Sequence, residues 1–219
     1  MTKLSRATLQ SFDKVHKPGY DPTGLKPGIV HFGVGNFHRA HQAVYLDDLF
    51  GMGEGHDWAL VGAGVRGSDD AMRDTLKAQD WLTTVVEQEA DYAEARVTAS
   101  MIDYVTISTE EGRKALMAYL TSPSIRIVSM TITEGGYYID PASQTFDPAH
   151  PDIVADATHP DQPKTVFGLI VQALKLRKTA GVQPFTVMSC DNIPGNGHVT
   201  EDAVTGLAKL SDPAFADWI

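Results

Sequence analysis

The stretch Ile29-Val-His-Phe-Gly-Val-Gly-Asn-Phe-His-Arg-Ala-His-Gln42 decides the fold of this 219-residue chain. Its first four residues are mainly apolar and follow the turn residues Pro27 and Gly28, which is typical of a short buried β-strand. The glycines come next, and residues 38–50 then carry apolar side chains at helical spacing. The stretch therefore predicts a strand, a glycine turn and a helix in direct succession.

Working outward from this stretch, further apolar runs alternate with helical patterns. The predicted strands are 58–65, 82–86, 125–133 and 185–189, and the predicted helices are 108–123, 164–180 and 199–210. Ser108 and Glu111 form a capping-box pattern at the start of the first of these helices. Residues 138–163 have weak periodicity and predict a long ordered loop. Because alternating strands and helices pair in parallel through right-handed crossovers, we expect an α/β fold with a doubly wound parallel sheet.

Composition narrows the classes of function. Apolar residues make up 42% of the chain and charged residues 21%, which is ordinary for a folded globular protein. The net charge of -10 disfavours nucleic acid and anionic membranes as partners. The first twenty residues lack the apolar core of a signal peptide, and no apolar run is long enough to span a membrane. The single cysteine, Cys190, fits a reducing compartment, so we expect a cytoplasmic protein.

The glycine turn is a candidate phosphate cradle. Gly33 permits a tight turn, Gly35 lets a pyrophosphate approach the backbone, and the helix N-terminus offers N–H donors to an anion. The third glycine of the dinucleotide fingerprint is absent, since His38 stands there. Arg39 is a candidate phosphate partner, and its alternative is a solvated helix residue. Without further context, the two glycines also fit an ordinary turn between a strand and a helix.

The ends of the predicted strands are where a ligand should bind in such a sheet. The candidate strand ends are Gly33–Arg39, Gly64–Asp69, Thr133–Gly136 and Asp191–Gly197. Asp69 is best placed to accept hydrogen bonds from an adenosine ribose, although it lies farther along the chain than usual. The alternative for Asp69 is an N-cap on a helix over residues 71–77.

Histidines near the glycine turn raise the question of a metal site. His38 and His41 are three residues apart, and His31 lies just before them. No Cys or carboxylate nearby completes a ligand set, so we expect no metal. Cys190 is interpreted as a small apolar filler rather than a nucleophile.

Several blocks resemble the polyol-specific long-chain dehydrogenase/reductase family, which includes mannitol 2-dehydrogenases and fructuronate reductases. The Ile29–Gln42 stretch is similar to that family's signature. So are Arg126-Ile-Val-Ser-Met-Thr-Ile-Thr-Glu-Gly-Gly-Tyr137, Phe185-Thr-Val-Met-Ser-Cys-Asp-Asn-Ile-Pro194 and Lys164-Thr-Val-Phe-Gly168. The resemblance extends from Ile29 to the end of the chain, and Glu134–Tyr137 is closer to the mannitol branch.

The resemblance implies metal-independent hydride transfer between NAD and a secondary alcohol of a polyol, of the mannitol to fructose type. It implies a Rossmann-like NAD-binding domain over residues 28–219, after an N-terminal arm of residues 1–27. Asn192 would be catalytic and would stabilise the substrate oxygen. The expected cofactor-binding residues are Gly33, Gly35, Asn36, Phe37, Arg39, Asp69, Thr133, Glu134 and Gly135. One carboxylate of the family's NAD-selecting acidic pair is replaced by Ser68.

The family's catalytic Lys, second Asn and His, and its helical substrate domain, are expected beyond Ile219. Two alternatives remain open at this point. One is a fructuronate or tagaturonate reductase or another pentitol or hexitol dehydrogenase, and the other is a non-catalytic dinucleotide-binding module. The expected partners are a polyol or ketose substrate, with neither nucleic acid nor membrane, and the protein is expected to be a monomer or a weak homo-oligomer.

Overall fold

The computed structural model describes residues 2–219, which divide into two compact units. The first unit runs to Arg113, and the second is Lys114–Ile219. The strands are β1 Pro27–Phe32, β2 Ala59–Gly64, β3 Thr83–Gln88, β4 Ala93–Thr98, β5 Met101–Thr106, β6 Ile127–Met130 and β7 Thr186–Ser189. The helices are α1 Ala43–Gly51, α2 Asp69–Lys77, α3 Glu110–Thr121, α4 Pro151–Thr158, α5 Val166–Ala180, α6 Asn196–Ser211 and α7 Pro213–Ala216. Among residues 2–219, no helix is both long and apolar enough to cross a membrane.

Parallel strands form the core of the first unit, where β2 lies between β1 and β5. Every residue of β2 is buried, and Val61 pairs with Val30 on one side and Asp103 on the other. Small and β-branched side chains such as Ala59 and Val61 suit a strand that is covered on both faces. The predicted strands at 29–32 and 58–65 are confirmed.

The helix predicted over residues 38–50 is present, and its first turn is irregular. His38–Gln42 form a π-helical turn, and α1 continues from it. Phe50 is buried at the end of α1, in a cluster with Leu25 and Ala59. Single π turns inside helices are frequent at functional sites, and this one follows the glycine turn.

An antiparallel ribbon, formed by β3 and β4, corrects the expectation that the strand at 82–86 belongs to a parallel sheet. The two strands are joined by a tight turn in which Glu89 N–H donates to the Tyr92 carbonyl at 2.8 Å. Neither β4 nor β5 was predicted. The alternation of Glu94 and Arg96 with small residues hides β4, because one face of the ribbon is solvated and needs few apolar side chains.

In the second unit, β6 and β7 pair in parallel, as predicted. The predicted helix at 164–180 is confirmed as α5. Its N-terminus is capped by the Thr165 hydroxyl, which accepts a hydrogen bond from Gly168 N–H at 2.9 Å. Gly181 ends the helix with φ 69°, the left-handed conformation that glycine adopts at low cost.

The capping box predicted from Ser108 and Glu111 is wrong by one residue. The Thr109 hydroxyl accepts the hydrogen bond from Gly112 N–H at 3.1 Å, and α3 begins after Thr109. The Ser108 hydroxyl instead donates to Asp70 at 2.9 Å. Ser108 and Thr109 are both hydroxyl residues of a kind that caps helix N-termini. Because Ser108 donates to the Asp70 carboxylate, Thr109 is the residue that caps α3.

The long loop predicted over residues 138–163 contains α4, so that prediction is wrong in part. This helix has only eight residues, which gives too few turns for a helical pattern to be visible in the sequence. Ile153 and Asp156 are its buried residues. The last long helix, α6, also begins three residues earlier than the predicted position at 199.

Candidate cofactor site

The glycine turn leaves β1 in a conformation that the sequence explains. Gly33 has φ 89°, where a side chain would be strained, and its N–H donates to the Ala63 carbonyl at 3.2 Å. Gly35 N–H then donates back to the Gly33 carbonyl at 2.7 Å. These bonds fix the turn at the carboxyl end of β1 and β2, where ligands bind in open α/β sheets.

Gly35 is the residue that keeps this turn open. A Cβ added there would have only the Gly33 carbonyl oxygen within reach, at 3.9 Å, so no protein atom requires a glycine. Asn36 and Phe37 are also exposed, and the Phe37 ring lies 5.4 Å from that of His41. An exposed backbone with no side chain above it fits the close approach of a pyrophosphate.

Arg39 supplies a positive charge that is held against the same turn. Its Nε donates to the Gly35 carbonyl at 3.3 Å, and its Nη2 donates to Asn36 Oδ1 at 2.9 Å. Both bonds are exposed to solvent, so the alternative interpretation of Arg39 as a solvated helix residue stays open. A planar cation fixed beside an open glycine backbone is suited to phosphate oxygens.

Asp69 lies at the same edge of the first unit, at the end of β2. It is the first residue of α2, and its Oδ2 accepts a hydrogen bond from Arg66 N–H at 2.8 Å. A carboxylate has further lone pairs, so this bond leaves capacity for a ribose hydroxyl. Gly64 makes room for it, since a Cβ on Gly64 would come within 2.5 Å of Asp69 Cβ.

The alternative role for Asp69, an N-cap on a helix over 71–77, is wrong in detail. Ser68 is the N-cap residue and makes no side-chain capping bond. Asp69 and Asp70 occupy the first turn of α2, where carboxylates are stabilised by the helix dipole. Asp70 accepts hydrogen bonds from the hydroxyls of Thr106 and Ser108, which lower the pKa of its carboxyl group.

In the second unit, the predicted residues Thr133, Glu134 and Gly135 follow the end of β6 and are all exposed. Thr133 has φ 63° and ψ 167°, a conformation found almost only in glycine. Glu134 and Gly135 begin a short 3-10 turn that ends at the buried Tyr137. Asn192 lies just beyond the end of β7, and its side chain is exposed.

Asp191 is a site residue that the sequence analysis placed in a strand end without giving it a role. Its carboxylate accepts hydrogen bonds from Ile132 N–H at 2.8 Å and Thr133 N–H at 3.1 Å. The Tyr137 hydroxyl also donates to it, at 2.8 Å, and burial raises the pKa of that hydroxyl. The signal available in the sequence was an acidic residue directly before the predicted catalytic Asn192.

Three further features are a possible metal site, Cys190 and His198. No group of three or more His, Cys, Asp or Glu that could hold a metal ion occurs in the described part of the chain. Cys190 is half-buried, and burial raises the pKa of its thiol, which disfavours the thiolate that a nucleophile needs. His198 lies in α6, where its imidazole is exposed to solvent near Glu201.

Comparison with known families gives a direct assignment for this arrangement. Residues 27–219 match the family model described as the mannitol dehydrogenase Rossmann domain. The chain belongs to this family. The match confirms the resemblance seen in the Ile29–Gln42 signature.

Curated relatives of this Rossmann domain carry related names. The chain is 59% identical over 205 residues to a mannitol 2-dehydrogenase of Cereibacter sphaeroides, which covers 94% of this chain and 42% of the relative. It is 44% identical over 220 residues to a polyol:NADP oxidoreductase of Gluconobacter oxydans, covering 99% of this chain and 44% of the relative. The chain therefore spans less than half the length of these relatives.

Solved structures confirm the fold class. A Pseudomonas fluorescens mannitol 2-dehydrogenase, in a ternary complex with NAD and D-mannitol, matches with a TM-score of 0.94 and 46% identity. The match covers 100% of this chain and 44% of that one. A substrate-free D-sorbitol dehydrogenase matches with a TM-score of 0.92 and 44% identity, covering 99% of this chain and 45% of that one. The predicted Rossmann-like α/β fold, with helices flanking a mainly parallel sheet, is confirmed.

Proposed function

We propose that this mannitol dehydrogenase Rossmann domain binds NAD and is the cofactor-binding part of a polyol dehydrogenase. The reaction is hydride transfer between NAD and a secondary alcohol, of the mannitol to fructose type. The observation that carries the proposal is the open turn at Gly35, which lies with Arg39 and Asp69 at one edge of the first unit.

The first unit supplies the groups for the ADP half of the cofactor. The backbone at Gly33 and Gly35, followed by Asn36 and Phe37, receives the pyrophosphate, and Arg39 adds a charge-assisted hydrogen bond to it. Asp69 accepts the ribose hydroxyls. Since Arg39 is already held by the Gly35 carbonyl and Asn36, little side-chain freedom is lost when it meets a phosphate.

The residues that follow β6 supply the groups for the nicotinamide half, because ligands bind beyond the carboxyl ends of the strands in such a fold. Thr133, Glu134 and Gly135 are the exposed residues after β6 that contact this half. The bound nicotinamide provides the carbon that exchanges the hydride. Asn192 donates its side-chain N–H to the substrate oxygen and stabilises the charge that develops there.

Names of the relatives support a polyol or ketose as the second substrate. The mannitol 2-dehydrogenase with the matching fold is described as a complex with NAD and D-mannitol. No metal is required by this proposal, since the oxygen is polarised by an amide donor.

We further propose a cytoplasmic location and a monomer or weak homo-oligomer.

Cofactor binding is tested by titrating the chain with NADH and following the change in nicotinamide fluorescence. A saturable signal that ADP-ribose competes away is expected. Its absence in a correctly folded sample, judged by circular dichroism, would overturn the proposed function. The fluorescence readout needs no turnover and is therefore independent of the substrate.

Substrate class is tested with protein expressed from the complete coding sequence. NADH formation is measured with mannitol, sorbitol and arabitol, and NADH consumption with fructose, fructuronate and tagaturonate. Turnover of mannitol and fructose is expected. Turnover of the hexuronates alone would replace the polyol assignment, and cofactor binding without any turnover would favour a non-catalytic dinucleotide-binding module.

A further inference from the structure

The turn after β6 contains an unusual backbone conformation at a residue with a branched side chain. Thr133, with φ 63° and ψ 167°, lies in a region that is essentially restricted to glycine. A β-branched residue in this region is a genuine outlier. Such a conformation persists only where surrounding groups hold it, so the residues that hold Thr133 are part of how this turn is built.

The carboxylate of Asp191 binds the backbone at this residue. Asp191 accepts the N–H groups of Ile132 and Thr133 through its two oxygens, at 2.8 and 3.1 Å. The same carboxylate accepts the hydroxyl of Tyr137 at 2.8 Å, and Tyr137 is fully buried. Ile132, before the strained residue, and Tyr137, after it, are therefore both hydrogen-bonded to the Asp191 side chain.

The backbone of Asp191 and its partner Tyr137 are themselves hydrogen-bonded. Ser189 Oγ lies 2.6 Å from the Tyr137 hydroxyl and accepts Asp191 N–H at 3.3 Å. Asn196 donates from its side chain to the Asp191 carbonyl at 3.1 Å. The exposed parts of this network are Thr133–Gly135 and Asn192, whereas its interior is buried or half-buried.

We infer that Asp191 is a positioning residue for the nicotinamide end of the cofactor. It holds Thr133 in the glycine-like conformation and thereby fixes the exposed Thr133–Gly135 segment and the adjacent Asn192. The inference rests on the proposed function, since it requires that this segment contacts the cofactor. Asp191 itself touches neither cofactor nor substrate.

A matched control for Asp191 exists in the same unit. Asp156 accepts two successive backbone N–H groups, from Lys164 at 2.8 Å and Thr165 at 2.9 Å, and one hydroxyl, from Thr165 at 2.7 Å. It is 4% exposed and holds the start of α5, where no proposed site residue lies. The two carboxylates make the same set of bonds, and only one of them supports the proposed site.

The experiment compares Asp191→Asn with Asp156→Asn in the 219-residue chain. In each variant an amide N–H2 replaces one oxygen and faces a backbone N–H, so a hydrogen bond is lost. Binding of NADH and of ADP-ribose, which lacks the nicotinamide, is measured by calorimetry, and the melting temperature is recorded. Both variants should melt earlier than the parent. Asp191→Asn should weaken NADH about tenfold, the effect of one lost hydrogen bond, and leave ADP-ribose unchanged.

A second variant separates positioning from general loss of structure. Glycine adopts the conformation of Thr133 without strain, so Thr133→Gly added to Asp191→Asn should restore the NADH affinity to that of the Thr133→Gly single variant. This double variant also serves if Asp191→Asn alone does not fold. Equal weakening of NADH and ADP-ribose, no weakening of either, or no rescue by Thr133→Gly would overturn the inference. Failure of the parent chain to bind NADH would overturn the proposed function instead.

Discussion

The imidazole rings of His31 and His38 stack directly against each other, with centroids 4.3 Å apart and planes 22° from parallel. Both residues have no exposed surface. His31 is the last residue but one of β1, and His38 begins the π turn, so the pair joins the two ends of the glycine turn. Burial lowers the pKa of both rings, that of His38 to about 4.

Acid should therefore destabilise the first unit above the pH range in which carboxylates titrate. Because the folded state disfavours the protonated rings, their contribution is complete above about pH 6.5, the ordinary value of histidine, and is lost as the pH falls toward 4. For His38 alone the loss of unfolding free energy is about 3 kcal/mol. The measurement is urea denaturation at several pH values between 7.5 and 4.5.

Replacement of one ring tests the source of this loss. His38→Gln should flatten the decrease of stability between pH 6.5 and 4.5, whereas His198→Gln should leave it unchanged, because His198 is exposed. An unaltered slope in the His38→Gln variant would mean that other groups cause the acid sensitivity.

Prediction of the strands succeeded for the fully buried β2 and missed β4, in which charged side chains alternate with small ones. The apolar run of β2 is visible in the sequence because all its residues are buried. In β4, Glu94 and Arg96 interrupt the pattern, and the ribbon with β3 depends on pairing that no local signal encodes. The short α4 is held by the bonds of Asp156 to Lys164 and Thr165, which lie outside the helix.

In the candidate site, local features were predicted from the sequence and long-range contacts were missed. The glycine turn was predicted because its chemistry is local, and Arg39 was found as a cation four residues beyond Gly35. The role of Asp191 was missed, since it depends on a contact with Thr133 across 58 residues of sequence. The sequence also contains no sign that Thr133 adopts a glycine-like backbone, because threonine is a poor choice for that conformation.

Substitution of Gly35 tests the phosphate cradle. A side chain is tolerated in the protein itself, since no atom other than the Gly33 carbonyl oxygen lies within 4 Å of the added Cβ. Gly35→Val should fold but bind NADH at least about tenfold more weakly, because the methyl groups occupy the space of the pyrophosphate. Gly24→Val, at an equally open position outside the site, is the control for both stability and affinity. If Gly35→Val binds NADH like the parent, the cradle lies elsewhere.

Arg177 should be a major determinant of stability in the second unit. It is 1% exposed and donates to the carbonyls of Leu120, Gln183 and Ile125 at 2.7 to 2.8 Å, and to that of Ser122. Arg177→Met would leave these acceptors without a donor and should lower the unfolding free energy by about 4 kcal/mol. Lys209→Met, on an exposed face of α6, should change it by less than about 0.5 kcal/mol. Chemical denaturation measures both, and equal small effects would contradict the assigned role.

Cofactor choice is the last property that the site predicts, and the relatives make it a real question because one of them is named a polyol:NADP oxidoreductase. The carboxylate of Asp69 accepts ribose hydroxyls but repels a 2′-phosphate, so the parent should prefer NADH over NADPH by roughly tenfold to a hundredfold. Asp69→Ser should reduce or reverse this preference, chiefly by tightening NADPH. Asp74→Ala removes the same charge from an exposed position of α2 and controls for long-range electrostatics. Calorimetric titrations of both cofactors at one ionic strength give the ratio directly. Equal affinities in the parent, or an unchanged ratio in Asp69→Ser, would remove Asp69 from the cofactor site.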